Sequence, residues 1–304
     1  MSQKPKLIRV DVGIAHFFRE SDNANYGSNR RGQKQNRALA LGRCLSSLLN
    51  LQRQPFDCTL NIGMRQIDIL PPPPEQQAHA NGIELNITVH SDGHNELREV
   101  LDQFEGIINR QPHKLEDPRQ LPLATRNSLI HDKDEIADIT LYLEDDLVIG
   151  DHLYLDKQLW FLNQTKHTMV LMPHRFERIH NNNIGLMLVD GPLRPEFINR
   201  FTAPRRNIAK GLFMGKEVVS FDIADNPHSG SFAFGRPQVE KLRSMELPNE
   251  GFVGPLETAA TLTALKYFPV VKPSYEHRQF LMIEHGHPSF QGYLNQLPVK
   301  KQTN

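Results

Sequence analysis

Apolar and polar positions along this chain switch between a period of two and a period of about 3.6, and the switches predict strands and helices in turn. Leu7 to Phe18 is rich in β-branched residues and reads as a first strand. Asn36 to Leu51 sets Ala38, Leu41, Leu45, Leu48 and Leu49 at helical spacing, which predicts an amphipathic helix. Phe56 to Ile62 reads as a second strand. The stretch after it, with Ile67 to Leu70 and the prolines Pro71 to Pro74, reads as a connection of extended or polyproline character. Gly82 to His90 alternates as a third strand and runs into Ser91-Asp92-Gly93-His94. Asn95 to Ile108 follows as a helix with Leu97, Val100, Leu101 and Phe104 inward, and Leu123 to Ile130 starts another. Strands alternating with helices over residues 1–150 predict an α/β sheet.

The most informative stretch is Ile139 to Gly150. An apolar, β-prone run meets Glu144-Asp145-Asp146 and then returns to apolar residues. This predicts a buried strand that opens at an active edge. Three adjacent carboxylates repel one another, so partial burial requires a cation, and a divalent ion with oxygen ligands is the simplest one. Continued alternation would put Glu144 and Asp146 on one face.

Downstream, Asp156 to Asn163 predicts a short helix and Thr168 to Arg175 a strand. Residues 177–227 are rich in Asn, Arg, Pro and Gly with weak periodicity, and predict an irregular excursion, either an acceptor pocket or a mobile cover. Gly230 to Gly235 reads as a strand, Pro237 to Arg243 as a helix, and Gly251 to Glu257 as a loop entering a helix that ends at Tyr267. Phe268 to Val271 is the last predicted strand. The tail carries His277, Glu284 and His285-Gly286-His287.

Composition narrows the partners. The 304 residues include 35 basic and 35 acidic ones, so no global field attracts nucleic acid or an anionic membrane. The two cysteines, Cys44 and Cys58, lack metal-type spacing and read as reduced core residues of a cytoplasmic protein. Met1 to Lys6 is polar and basic, without the apolar segment of a signal peptide, and no run approaches a membrane span. Arg30 and Arg31, in the polar loop over residues 20–35, are candidates for reaching a phosphate.

The order of these elements, with the acidic triplet followed by Leu147, the turn Val89-His90-Ser91-Asp92-Gly93-His94 and the late Glu284-His285-Gly286, resembles the GT-A glycosyltransferases. Among these it is most similar to the N-acetylglucosaminyltransferases that extend mannose on glycoproteins. The resemblance spans roughly residues 7–290, with the triplet standing as the Asp-x-Asp motif in its Glu-Asp-Asp form. It implies a GT-A-like, Rossmann-type mixed sheet flanked by helices, with an irregular acceptor-side C-terminal half. Residues 1–150 would form the nucleotide-sugar-binding half and residues 151–304 the acceptor-binding, catalytic half.

A nucleotide-diphosphate sugar donor, UDP-linked in this reading, needs Mn²⁺ or Mg²⁺ to neutralise its leaving diphosphate. Asp146 is the candidate metal ligand, with His285 or His287 completing the metal shell or closing over the diphosphate. The resemblance places Glu144 and Asp145 around the ribose and metal waters. Asp92 is a candidate for the nucleobase or ribose and Arg126 for a phosphate. Inverting transfer to a glycan, lipid-linked or small-molecule hydroxyl needs a base, for which the resemblance points to Glu257, with Glu250 as the fallback. A Mg²⁺-dependent nucleotidyltransferase or phosphohydrolase and a non-catalytic nucleotide-sugar binding protein are the rival functions.

Overall fold

The structure, a computed structural model, describes residues 6–21, 30–70, 81–181 and 184–298. Residues 22–29 of the polar loop and the prolines Pro71 to Pro74 lie outside the described residues. The chain begins with β1 (Leu7–Ala15), α1 (Lys34–Leu49), β2 (Asp57–Asn61), β3 (Gln66–Leu70), β4 (Gly82–Ser91), α2 (Arg98–Leu101) and β5 (Asn109–Pro112). Next come α3 (Leu121–His131), β6 (Ile139–Glu144), β7 (Leu147–Val148), α4 (Tyr154–Gln164), β8 (Val170–Leu171), β9 (His174–Asn181) and β10 (Ile184–Leu188). The last third adds α5 (Pro195–Ile198), β11 (Arg205–Phe213), β12 (Glu217–Ile223), β13 (Ser231–Gly235), α6 (Arg236–Arg243), α7 (Pro255–Glu257), β14 (Val270–Pro273) and β15 (Met282–His285).

A mixed five-stranded sheet, ordered β13-β6-β1-β4-β5, carries the molecule, with β6, β1, β4 and β5 parallel and β13 antiparallel to β6. The α/β expectation therefore holds, as a mixed sheet flanked by helices. β6 is buried on both faces, which is why it reads as an unbroken apolar run. Ile139, Leu141 and Leu143 enter one core with α1 and α4, while Tyr142 enters a second core with α3 and α6. The strand order reverses between β1 and β6, because the chain builds β4 and β5 on one side of β1 before β6 docks on the other. The carboxyl ends of β1 and β6 flank this switch point, where open α/β sheets form a ligand crevice.

Several predicted elements are corrected. The helix predicted over Asn95 to Ile108 shrinks to α2 and one 3₁₀ turn, Asp102–Phe104. Leu97 and Leu101 still bury their side chains, but the following residues turn to add β5 to the open edge of β4, whose backbone groups need partners. Ile67 to Leu70 is not a connection but β3, which pairs with β2 in a separate hairpin. The strand predicted over Thr168 to Arg175 splits into β8 and β9 on either side of Met172-Pro173. Among the described residues of 177–227, β9, β10, β11 and β12 are strands of two further four-stranded sheets, β10-β9-β15-β7 and β11-β12-β14-β8, while residues 189–194 and 199–204 are loop on either side of α5. The helix begun by α7 continues through a π-helical turn, Thr258–Leu262. Cys44 is buried as expected, whereas Cys58 is exposed, and both are free thiols. No helix among the described residues is long and apolar enough to cross a membrane.

Candidate functional site

β6 ends at Glu144, and Asp145 and Asp146 form the turn into β7, so the alternation that would put Glu144 and Asp146 on one strand face stops at Glu144. Asp145 and Asp146 are both buried. Their charge is tolerated because Arg37 meets both of them. Its Nη2 donates to the two oxygens of Asp145 at 2.7 and 2.6 Å, and its Nη1 donates to Asp146 Oδ2 at 3.2 Å. Such a fork suits guanidinium geometry. Arg37 sits on the buried stripe of α1, one turn before Ala40 and Leu41. That stripe is Arg37, Ala40, Leu41, Cys44, Leu45 and Leu48, so Ala38 and Leu49 lie at its margins rather than at its centre.

His16, just past the end of β1, completes the crevice wall. The Leu97 backbone N–H donates to its Nε2 at 2.9 Å, which leaves the proton on Nδ1 to be donated to Asp145 Oδ2 at 2.6 Å. Asp145 thus accepts three hydrogen bonds from two residues and anchors the turn.

Asp146 faces the late strand. β15 pairs antiparallel with β7, with His285 opposite Leu147, and the Gly286 N–H donates to the Asp146 carbonyl at 2.7 Å. This brings His285 Nε2 to 3.4 Å from Asp146 Oδ2. β9 pairs with β15 on its other side, with Phe176 opposite Glu284. Glu177, fully buried, accepts from His285 Nδ1 at 2.8 Å and from the Ser289 and Phe290 backbone N–H groups. Burial opposes charge on His285, but the carboxylates of Asp146 and Glu177 outweigh it and push the imidazole up to about 10. Burial likewise opposes ionisation of Asp146, and His285 and Arg37 together hold its carboxyl well below the usual range.

Glu144 lies on the other flank, 3.5 Å from Arg175 Nη1. Burial raises its carboxyl to about 7, with Arg175 offsetting part of the effect and the charges of Asp146 and Glu257 adding to it. Gly230 packs against Glu144 with φ +62°, and a Cβ there would lie 2.7 Å from Glu144 Oε2. Arg175 is itself clamped by Asp190, its Nη2 at 2.8 Å, and Lys272 approaches the same carboxylate at 3.4 Å. Beside them, His228 Nδ1 meets Thr261 Oγ1 at 2.7 Å, and burial first, then Arg175, lowers its pKa to about 3.

The remaining candidates fall elsewhere or have other partners. His287 is near Arg37 and Asp146, but its ring nitrogens meet Gln33 at 3.3 Å and Ser289 at 3.0 Å. Glu257 caps its own helix by accepting the Gly254 N–H at 3.0 Å, while its charge reaches Glu144. Glu250, Arg30 and Arg31 are exposed. Asp92 stands at the end of β4, where its oxygens accept from the His94 N–H, the Asn95 N–H and Asn95 Nδ2. Arg126 corrects the phosphate expectation. It is fully buried between α3 and the loop at residues 248–249, and its five N–H donors meet Asn127, Pro248, Thr263 and Asn249. No donor remains for a phosphate, and the guanidinium braces the fold instead.

Among the described residues, no group of three or more His, Cys, Asp or Glu side chains is arranged to hold a metal, so the set Asp146, His285 and His287 is not assembled as such. Asp146 and His285 form an ion pair here, and they are donor types that a divalent cation would take in place of the His285 Nε2 proton. A carboxylate oxygen and an imidazole nitrogen face each other, and Glu177 orients the imidazole through its other nitrogen, as ligating histidines require. Sequence reasoning passed over Arg37, His16, Arg175 and Glu177. Only Arg37 left a trace, as a basic residue on an otherwise apolar helix stripe.

No protein-family model matches the chain, and no curated protein matches its sequence. Among solved structures, S. aureus TarS 1–349 aligns at 10% identity and a TM-score of 0.42, covering 91% of this chain and 58% of that one. GalNAc-T7 with UDP, GalNAc and Mn²⁺ aligns at 11% identity and a TM-score of 0.43, covering 91% of this chain and 43% of that one. TarS 1–349 with UDP-GlcNAc aligns at 12% identity and a TM-score of 0.30, over 58% of this chain and 37% of that one. This chain thus spans less than two thirds of each of those proteins. TM-scores below 0.5 leave the functional reading to the site itself.

Proposed function

We propose that this protein is a metal-dependent glycosyltransferase of GT-A type, transferring a sugar with inversion from a UDP-linked donor to a hydroxyl acceptor. The observation that carries the reading is the Asp146–His285 pair, backed by Glu177 and set at the switch point of the mixed sheet. In this reading Asp146 and His285 hold Mn²⁺ or Mg²⁺. When bound, the ion supplies positive charge to the leaving diphosphate. Arg37 and His16 keep the turn in place through their hydrogen bonds to Asp145. Asp92, at the end of the neighbouring strand β4, is the proposed nucleoside contact, and Glu144 the proposed ribose-side carboxylate. Glu257 is the proposed base. Its partial exposure and its closeness to Glu144, near enough for their charges to interact, support this reading.

The test is thermal stability with UDP, with and without Mn²⁺. A ligand at a hundredfold excess over its Kd stabilises by about 2.7 kcal/mol, which raises Tm by several degrees. We expect UDP to raise Tm only with Mn²⁺, and Asp146→Ala or His285→Ala to abolish the rise. A UDP shift indifferent to metal and to both substitutions would sink the metal-bridged reading. Release of pyrophosphate or phosphate, rather than UDP, would move the protein to the nucleotidyltransferase or phosphohydrolase class.

A further inference from the structure

Among the described residues, the hairpin of β2 and β3 hydrogen-bonds only within itself and forms a sheet of its own. Its cross-strand partners sort by face. Asp57 lies opposite Leu70, Thr59 opposite Asp68 and Asn61 opposite Gln66, and the polar face is tied together by Asn61 and Gln66 donating to Asp68. On the other face Cys58 lies opposite Ile69 and Leu60 opposite Ile67, with Phe56 and Ile62 continuing the same alternation. That face is apolar and uncovered. Phe56 is 51% exposed, Leu60 64%, Ile67 60%, Ile69 73% and Ile62 78%, with Met64 in the turn at 70%. At ~150–200 Å² for a fully exposed large side chain, these six present roughly 600–800 Å². That exceeds the few hundred Å² usual on a monomer and approaches the ~800 Å² that each partner buries in a standard interface. A two-stranded ribbon is also marginal in water unless its apolar face is packed.

Three occupants compete for this face, and the chemistry favours one. The stretches of this sequence outside the described residues, 1–5, 22–29, 71–80, 182–183 and 299–304, are polar or proline-rich and contain no apolar run to match it. A membrane fits poorly. Residues 56–70 carry Asp57, Asp68 and Arg65, a net charge of −1, which an anionic surface repels. The ribbon also has two open edges whose backbone groups hydrocarbon cannot satisfy. A second copy meets both objections. The apolar face bears no charge, so it opposes itself across a two-fold axis without repulsion, and the polar faces and edges stay in water. We propose that the β2–β3 ribbon is a homodimer interface, in which the apolar faces of two copies pack on each other as a small two-layer sandwich.

Sedimentation velocity across micromolar concentrations tests this. We expect a particle of twice the 34.8 kDa chain mass that dissociates on dilution. The double variant Leu60→Lys with Ile67→Glu places opposite charges across one cross-strand pair, so the hairpin is retained while the apolar face is lost, and its mass should halve. Thr59→Lys, on the polar face opposite Asp68, should remain dimeric. Cys58 lies on the contact face and Cys44 is buried, so thiol labelling of the wild type should slow as protein concentration rises. A single-chain mass at every concentration, or a dimer that survives the double variant, would overturn the proposal. So would a monomeric wild type that binds neutral lipid vesicles through this face.

Discussion

Arg37 is the residue on which the acidic turn depends. Its guanidinium joins Asp145 and Asp146 where both are buried, and breaking such a pair leaves an uncompensated charge. Arg37→Ala should cost about 3–5 kcal/mol in urea unfolding. Removing the exposed Arg9–Glu135 pair by Arg9→Ala should cause no measurable loss. His90 makes a pH prediction away from the turn. It is buried on β4 with Nδ1 2.8 Å from His113 Nε2, and its Nε2 has no hydrogen-bond partner among the described residues. Burial, then the neighbouring His113, lowers its pKa from 6.5 to about 3. The folded protein therefore favours neutral His90. Its contribution is complete above the unfolded value near 6.5 and is lost as pH falls toward 3. Between pH 6.5 and 5, unfolding free energy should fall by about 2 kcal/mol more in the wild type than in His90→Gln. Equal losses would show that His90 takes up its proton in the folded state.

At the scale of elements, the site is made by strand pairing. β15 reaches the acidic turn because Gly286 lets the two backbones approach. A Cβ there would lie 2.9 Å from the Asp146 carbonyl oxygen and 3.1 Å from Val148. Gly286→Ala should force β15 away from β7, costing about 1–3 kcal/mol as overpacking does. It should also weaken Mn²⁺-dependent UDP binding by calorimetry, because His285 moves with the strand. Unchanged affinity would show that His285 is not positioned by this contact. Strand pairing also explains what sequence could not reveal about these elements. Periodicity identified β1 and β4 because apolar residues alternate with polar ones along them, and β6 because it buries a continuous apolar run. It failed across residues 177–227, where strands such as β11 are polar and half-exposed, so their hydrogen bonds rather than their side chains make them strands.

For the molecule as a whole, the central sheet lies between two cores, and β13 from the last third of the chain is hydrogen-bonded to β6. That sharing predicts one cooperative unfolding transition. Trp160, the single tryptophan, packs with Phe213, Phe221 and Phe280. Its fluorescence should lose signal at the same urea concentration as the far-UV circular dichroism. An earlier fluorescence midpoint would show that the region around Trp160 melts on its own.

The pattern of side chains alone determined the α/β class, the strand that ends in Glu144-Asp145-Asp146 and the amphipathic helix α1, because each follows from local periodicity and buried apolar runs. Tertiary structure decided which charged groups meet there. His16 just past β1, Arg37 on α1, Glu177 on β9 and His285 on β15 are separated by as many as 269 positions, and the pairings β1–β6, β7–β15 and β9–β15 together with the packing of α1 bring them together. It also decided that Arg126 faces inward. A helix pattern shows which face is buried, but which partners satisfy a guanidinium depends on the loop that packs over it.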